Sequence, residues 1–338
     1  MSQRVSRRTF IGAGTVAAAA ASARPAPAGP VVGSASSGKP ALLGGDPVRA
    51  TPLPSWPVID QREDEALLEV LHGKKWYRGD GNVARRFEDA YADLTGAKYC
   101  VATANGTSAL LSSLAAVGVG AGDEVILPPF TFVATLNAAF VHHALPVFVD
   151  SDPETLMIDA GKVEGAITER TRAIIPVHIG GNACDMDTIM EVSRRRKIPV
   201  VEDACQAVLG EWRGKTLGTV GDTGSFSFQA SKNLNSGEGG ALLTNDQDLA
   251  ARCYGFHDHS RGRRGIGRAS ERLTARANNL RITEFQAGLL LAQMTRLEEQ
   301  TKTREDNASY LTAQLEEIPG IRPARMYEGC TRNGYHIY

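Results

Sequence analysis

The sequence predicts an α/β fold built on a mainly parallel sheet. From residue 99 onward, short apolar runs alternate with stretches of helical periodicity, which is the pattern of repeated βαβ units. Several of these runs end at a polar residue, as strands do where they reach a binding crevice. The 338 residues, 42% of them hydrophobic, are sufficient for one large domain and a smaller one.

Composition excludes several classes of partner and site. The formal net charge of −1 and the lack of long basic or acidic runs argue against nucleic acid as a partner. The five cysteines are scattered without CxxC spacing, so we predict neither a zinc site nor a disulfide framework. The cluster His257-Asp258-His259 has no third ligand at a defined spacing, and we therefore predict no metal site.

The first 28 residues are predicted to be an export signal of the twin-arginine type. The core Ser6-Arg-Arg-Thr-Phe-Ile follows Arg4 and precedes a weakly apolar Ala/Gly run that is too short to span a membrane. A disordered Ala-rich tail is the alternative. Residues 29–41 are rich in Gly, Ser and Pro and are predicted to be an unstructured linker. We expect an exported, periplasmic or extracytoplasmic protein, and the alternative location is the cytoplasm.

The mature chain is expected to begin near Leu42 with an N-terminal arm over residues 42–80. Helical spacing of apolar residues predicts helices at 63–70 and 82–94. Between them, residues 73–79 place two aromatic side chains among cations. This loop is either a substrate contact or a hinge with an aromatic anchor.

Three apolar runs end at residues whose polar side chains can contact a ligand, namely Asp150, His178 and Asp203. Ligands of open α/β sheets bind beyond the carboxyl ends of the strands, so these three side chains are expected to converge on one crevice. A single acidic residue after a strand is more often a helix cap or a turn former. Three such residues together favour a site.

A phosphate site is predicted at Asn105-Gly106-Thr107-Ser108. This stretch follows a strand-like run and opens an apolar helix, so its N–H groups and hydroxyls would lie at a helix N-terminus. A simple Ser or Thr helix cap is the alternative. The chain contains neither GxGxxG nor GxxxxGK[ST], which argues against dinucleotide and P-loop nucleotide binding.

Residues 221–245 contain the candidate covalent centre, Lys232. The stretch is a short apolar strand, a polar turn with the lysine, a glycine cluster and a second strand. An exposed loop lysine is the alternative. Taken with the phosphate site and Asp203, however, Lys232 completes the requirements of pyridoxal phosphate chemistry: a lysine that bonds to the cofactor and an acid that pairs with the pyridinium nitrogen.

Nine ordered motifs resemble the DegT/StrS family of sugar aminotransferases, from about Leu43 to the last residue. The motifs are Asn105-Gly-Thr-Ser-Ala-Leu, Gly122-Asp-Glu-Val-Ile, Thr131-Phe-Val-Ala-Thr, Val147-Phe-Val-Asp, Ile175-Pro-Val-His, Glu202-Asp-Ala-Cys-Gln, Gly224-Ser-Phe-Ser-Phe, Ser231-Lys-Asn-Leu and Gly237-Glu-Gly-Gly-Ala. The opening Leu43-Gly-Gly-Asp-Pro-Val-Arg and the region around Trp76 are most similar to the branch that includes scyllo-inosose and aminodehydroquinate-type aminotransferases.

The resemblance implies roles for individual residues. Lys232 would bond to pyridoxal 5′-phosphate and shuttle the proton, and Asp203 would pair with the pyridine nitrogen. The remaining implied cofactor contacts are Gln206 at the phenolic oxygen, Phe132 stacked on the ring, Gly106, Thr107 and Ser227 at the phosphate, Asn279 at the phosphate of the neighbouring subunit, and His178 near the cofactor. A structural role for His178 is the alternative.

The resemblance also implies an architecture and a reaction. The expected fold is aspartate-aminotransferase-like (fold type I), with a large domain over 42–296 and a small α+β domain that begins at 297 and is truncated at 338. A homodimer would move an amino group from glutamate or glutamine to a keto group of a sugar nucleotide or cyclitol, in two half-reactions through pyridoxamine phosphate. The alternatives are an exported non-catalytic cofactor-binding or regulatory protein and a sugar dehydratase, although that relative has histidine in place of Lys232.

One motif departs from the family pattern. Where the family commonly has Ala-His-Gly after Gln206, this chain has Ala207-Val208-Leu209. Any role of that histidine is therefore absent here.

Overall fold

The protein is described by a computed structural model, which covers residues 39–262, 266 and 277–338. The predicted signal and most of the predicted linker lie outside these residues. At the end of that linker, Ala41 begins a single 3₁₀ turn, Ala41–Leu43, so the linker is not entirely irregular. The described chain divides into a short N-terminal unit that ends at Ser55 and a compact unit from Trp56 to Tyr338. The predicted boundary at 296/297 stays a prediction.

Helices and strands largely alternate between residues 61 and 257, and two further helices of 11 and 19 residues follow. The helices are α1 (Gln61–Gly73), α2 (Val83–Thr95), α3 (Gly106–Ala116), α4 (Val133–Val141), α5 (Ala160–Val163), α6 (Met186–Arg196), α7 (Gln247–His257), α8 (Glu284–Met294) and α9 (Leu297–Leu315). The strands are β1 (Tyr99–Thr103), β2 (Glu124–Leu127), β3 (Leu145–Phe148), β4 (Thr171–Ile174), β5 (Val201–Asp203), β6 (Glu211–Trp212), β7 (Lys215–Thr216), β8 (Thr223–Ser227), β9 (Gly240–Thr244) and β10 (Cys330–Arg332).

The large sheet is mainly parallel, as predicted. Strands β3, β2 and β4 are parallel neighbours, and so are β5 and β8. Isolated parallel bridges at Ile174–Val200 and Val177–Asp203 connect the two sets, which gives the order β3-β2-β4-β5-β8-β9-β1. Only β9 runs antiparallel to its neighbours in this sheet as described. The small strands β10, β6 and β7 form a separate antiparallel sheet.

An aromatic cluster fixes helix α2 to the sheet. Phe87 and Tyr91 on α2 meet Phe226 of β8 and Phe228 just after it, with ring centroids 5.4 to 5.5 Å apart in edge-to-face geometry. All four side chains are fully buried. The cluster therefore anchors β8 immediately before the chain turns toward Lys232.

The loop between α1 and α2 is anchored rather than free. Arg78 pairs with Glu88 of α2 in a buried salt bridge of 2.8 Å, and Trp76 packs on Phe285. Of the two interpretations of this loop, the contacts favour the hinge with an aromatic anchor. No helix in the described part of the chain has the length and apolar character needed to cross a membrane.

Candidate active site

A cavity of about 560 Å³ lies where strands β5 and β8 end. Asp203 is the last residue of β5 and Ser227 is the last residue of β8, so the carboxyl ends of two parallel strands open into it. Eight of the predicted site residues line the cavity: Gly106, Thr107, Phe132, His178, Asp203, Gln206, Ser227 and Lys232. The predicted convergence is only partly confirmed, because Asp150 is not among the lining residues.

The N-terminus of α3 supplies hydrogen-bond donors to this cavity. The Asn105 side chain caps the helix, since its Oδ1 accepts from the N–H of Ser108 at 2.8 Å and from its hydroxyl at 2.9 Å. The backbone N–H groups of Gly106 and Thr107 make no hydrogen bond within the described chain. Free N–H groups at a helix start bind anions, so this corner fits a phosphate group.

Two glycines allow the phosphate corner to close. A Cβ at Gly106 would lie 2.7 Å from the Cβ of Ser227, and a Cβ at Gly240 would lie 2.4 Å from the carbonyl of Asn105. Glycine at both positions thus lets three backbone segments approach closely. At Gly240, the space that a side chain would fill is occupied by the protein's own backbone.

Asp203 is a buried carboxylate with two protein donors. Its Oδ2 accepts from the Thr135 hydroxyl at 2.7 Å, and its Oδ1 accepts from the Cys205 N–H at 3.2 Å. The sequence placed Asp203 just after a strand, whereas it is the final residue of β5. Thr135 was missed as a site residue, because it lies 68 residues from Asp203 and no local signal relates the two.

Lys232 lies in the turn between β8 and β9 and is half-buried. Burial lowers the pKa of its ammonium group, and Cys205 and Asp203 oppose this shift without cancelling it. The neutral amine is therefore more accessible than in an exposed lysine. The Lys232 Nζ lies 3.5 Å from the Nε2 of His336, a cavity residue that sequence reasoning missed.

His178 is held by protein groups on both ring nitrogens. Its Nε2 lies 3.0 Å from the buried carboxylate of Glu202, and its Nδ1 accepts from the Cys184 N–H at 3.2 Å. Only the ring face and carbon atoms remain for contact with a ligand. This geometry favours the structural alternative for His178, which the sequence left open.

Phe132 and Gln206 line the cavity, whereas Asn279 does not. Phe132 is 67% exposed, and it therefore has an aromatic face available for stacking. Gln206 accepts from the Gly180 N–H at 2.7 Å, so its side-chain amide fixes a neighbouring loop. Asn279 is exposed and lies outside the cavity of its own chain.

Two members of the His257-Asp258-His259 cluster have other partners. Asp258 pairs with Arg281 at 2.6 Å, and the Nδ1 of His257 lies 2.7 Å from the carbonyl of Tyr254. Among residues 39–262, 266 and 277–338, no group of three or more His, Cys, Asp or Glu side chains is placed to hold a metal ion.

Fold and cavity together define an enzyme of the pyridoxal phosphate class. The donor set matches that cofactor, with free helix N–H groups for a phosphate, a buried carboxylate for a pyridinium nitrogen and a lysine of lowered pKa for an aldehyde.

The family follows from comparison with known sequences. Residues 57–338 match the model of the DegT/DnrJ/EryC1/StrS aminotransferase family. The L-glutamine:2-deoxy-scyllo-inosose aminotransferase of Streptomyces fradiae is 41% identical over 312 residues, which are 88% of this chain and 73% of that protein. The GDP-perosamine synthase of Caulobacter vibrioides is 40% identical over 285 residues, which are 83% of this chain and 74% of that protein. The chain belongs to the DegT/DnrJ/EryC1/StrS aminotransferase family.

Solved structures agree with this assignment. The crystal structure of 3-amino-5-hydroxybenzoic acid (AHBA) synthase matches with a TM-score of 0.79 and 34% identity, over 85% of this chain and 74% of that one. NtdA from Bacillus subtilis with bound cofactor PMP (pyridoxamine phosphate) matches with a TM-score of 0.72 and 31% identity, over 82% of this chain and 62% of that one. This chain is therefore a pyridoxal-phosphate-dependent aminotransferase of fold type I.

Substitution of Gly106 by alanine tests the phosphate corner. The new methyl group would meet the Cβ of Ser227 at 2.7 Å, so α3 and β8 must separate, and we expect cofactor affinity to fall roughly tenfold or more with a stability loss of about 1–3 kcal/mol. Titration of the purified protein with pyridoxal phosphate, followed by absorbance, measures the affinity. Gly165→Ala is the matched control, because nothing lies within 4 Å of its Cβ position. Equal affinities for both variants would contradict this role of Gly106.

Proposed function

We propose that this aminotransferase takes its amino group from glutamine or glutamate and delivers it to a keto group of a cyclitol. A sugar nucleotide is the alternative acceptor. The name of the Streptomyces relative contains both glutamine and a cyclitol ketone, which supports the first choice, whereas the name of the Caulobacter relative contains a nucleotide sugar. The single observation that carries the amino-transfer chemistry is that the Lys232 amine and the buried Asp203 carboxylate line one cavity with free helix N–H groups.

The chain's own residues have distinct tasks in this reaction. Pyridoxal phosphate supplies an electron sink when it is bound. The Gly106 and Thr107 N–H groups and the Ser227 hydroxyl bind and orient a phosphate, which contributes positioning rather than bond chemistry. Asp203, fixed by Thr135, provides the negative charge for a protonated ring nitrogen. Lys232, whose pKa is lowered by burial, carries the proton.

Lys232 should be the only site of covalent cofactor attachment. We expect borohydride reduction of the holoenzyme to leave a pyridoxyl group on Lys232, which peptide mass spectrometry would map. The Lys232→Ala variant should form no adduct, and its activity should fall by at least about 10³-fold. Lys215→Ala, an exposed lysine outside the cavity, is the matched control. An adduct on another residue would overturn the assignment.

The donor and acceptor are tested by separate half-reactions. Glutamine or glutamate added to the holoenzyme should convert the cofactor to its amine form, seen as a change in its absorbance. The amine form should then revert on addition of 2-deoxy-scyllo-inosose but not of a nucleotide-linked keto sugar. An adduct on Lys232 without conversion by either amino acid would favour the non-catalytic binding protein.

We also propose that two copies of the chain form a homodimer with shared active sites. Between residues 130 and 148, large apolar side chains are unusually exposed for a folded surface. Seven of them are at least half exposed: Phe130, Phe132, Val133, Phe140, Val141, Leu145 and Phe148. Exposed apolar surface of this extent is typical of a protein interface. The exposed position of Asn279 outside its own cavity is compatible with a role at the partner's site.

Complementation between two inactive variants tests the shared site. Lys232→Ala and Asn279→Ala should each lose activity, and an equal mixture after subunit exchange should regain about a quarter of the wild-type value, because half of the dimers are mixed and each has one intact site. Analytical ultracentrifugation measures the dimer in parallel. Failure to regain activity while mixed dimers form would show that Asn279 does not act across the interface.

Export remains a proposal that rests on the first 28 residues. Their paired arginines followed by Phe10 and Ile11 support a twin-arginine signal, and the five cysteines are all free thiols. We expect Arg7→Lys with Arg8→Lys to retain the protein in the cytoplasm, as measured by fractionation of the producing cells. Arg4→Lys is the control, because this residue lies outside the pair. Unchanged export of the double variant would refute the signal.

A further inference from the structure

The segment at residues 333–337 returns to the cavity and is fixed beside Lys232. The His336 N–H donates to the Gly180 carbonyl at 2.8 Å, and the Gly334 N–H donates to that of Gly181 at 3.0 Å. The side chain of Asn233, the residue that follows Lys232, donates to the Gly334 carbonyl at 2.6 Å. The lysine turn and the His336 segment are therefore joined directly.

The His336 ring faces the lysine amine, and no acidic side chain among the described residues pairs with it. Its Nε2 lies 3.5 Å from the Lys232 Nζ, at the outer limit of a hydrogen bond, and catalytic contacts are often long before ligands bind. Its Nδ1 is buried and has no hydrogen-bond partner within the described chain. Burial and the charges of Lys232 and Arg304 lower the pKa of His336 to about 4, so the imidazole is neutral at physiological pH.

We propose that His336 is a positioning residue for Lys232: its neutral Nε2 accepts a hydrogen bond from the free amine and directs that amine during proton transfer. The inference rests on the proposed aminotransferase function. A neutral acceptor orients the amine without adding charge to the cavity. The same nitrogen also accepts from the ammonium form and stabilises it modestly, whereas a carboxylate in this place would stabilise the ammonium form strongly and hinder release of its proton.

The role predicts a change in the pKa of Lys232 itself. Loss of the acceptor removes a hydrogen bond that stabilises the ammonium form, so the pKa of Lys232 should fall by roughly one pH unit in His336→Leu. We expect His336→Gln, which retains an acceptor oxygen, and His72→Leu, an exposed histidine outside the cavity, to keep the wild-type value. His336→Met replaces His336→Leu if the latter does not fold.

The experiment measures Lys232 directly in protein loaded with pyridoxamine phosphate, where the lysine amine is free. Mass spectrometry follows the rate at which trinitrobenzenesulfonate labels Lys232, and this rate is measured as a function of pH. The midpoint of the curve reports the pKa of Lys232, and its plateau reports how accessible the amine is to the reagent. In parallel, the single-turnover rate with glutamine should fall about tenfold in His336→Leu, with an unchanged dependence on donor concentration. Thermal melts identify the variants that are folded.

The outcomes separate the two proposals. If the wild type does not convert its cofactor with glutamine or glutamate, the proposed function fails, and the labelling midpoint still measures the contact with His336. If the wild type converts its cofactor but His336→Leu and His336→Met keep its labelling midpoint and rate, the positioning role of His336 is refuted. A lowered midpoint in these two variants, together with a wild-type midpoint in His336→Gln, supports it.

Discussion

The site depends on the hydrogen bonds that hold the buried carboxylate of Glu202. Its Oε1 accepts from the N–H groups of Val220 and Gly221, and its Oε2 accepts from that of Gly218 and faces His178. A fully buried carboxylate without such donors would cost several kcal/mol. Because neighbouring residues of a strand point to opposite faces, fixing Glu202 on one face of β5 fixes Asp203 on the other.

The parts of the site that the sequence predicted are those that local pattern determines. Asn105 to Thr107 lie at a strand-to-helix junction, and Lys232 lies in a turn between two strands, so a short window contains their setting. The mainly parallel sheet follows in the same way from alternating helices and strands. The contacts that the sequence missed are distant in the chain: Thr135 lies 68 residues from Asp203, and His336 lies 104 residues from Lys232. No periodicity or turn signal relates residues at such separations.

Backbone, rather than side chains, determines much of the cavity. Gly106 and Gly240 are placed where a Cβ would collide with neighbouring segments. The Gly180 carbonyl accepts a hydrogen bond from the His336 N–H, and the Gly180 N–H donates one to the Gln206 side chain. Gln206 is therefore connected through one loop to the segment that carries His336. A residue that sequence reasoning assigned to the cofactor thus also positions the far end of the chain.

A cation outside the cavity lining adds to the effects of burial and of Lys232 on the protonation of His336. The Arg304 guanidinium stacks on the Trp56 ring at 4.9 Å, and its Nη1 is buried with no hydrogen-bond partner among the described residues. Burial lowers the pKa of Arg304, but a guanidinium remains charged at any physiological pH. Its charge therefore acts with burial and with Lys232 to keep His336 neutral. The Trp56 indole donates to the Ala230 carbonyl at 3.0 Å, two residues before Lys232. The Arg304 cation that stacks on Trp56 is therefore connected to the same turn that carries the lysine.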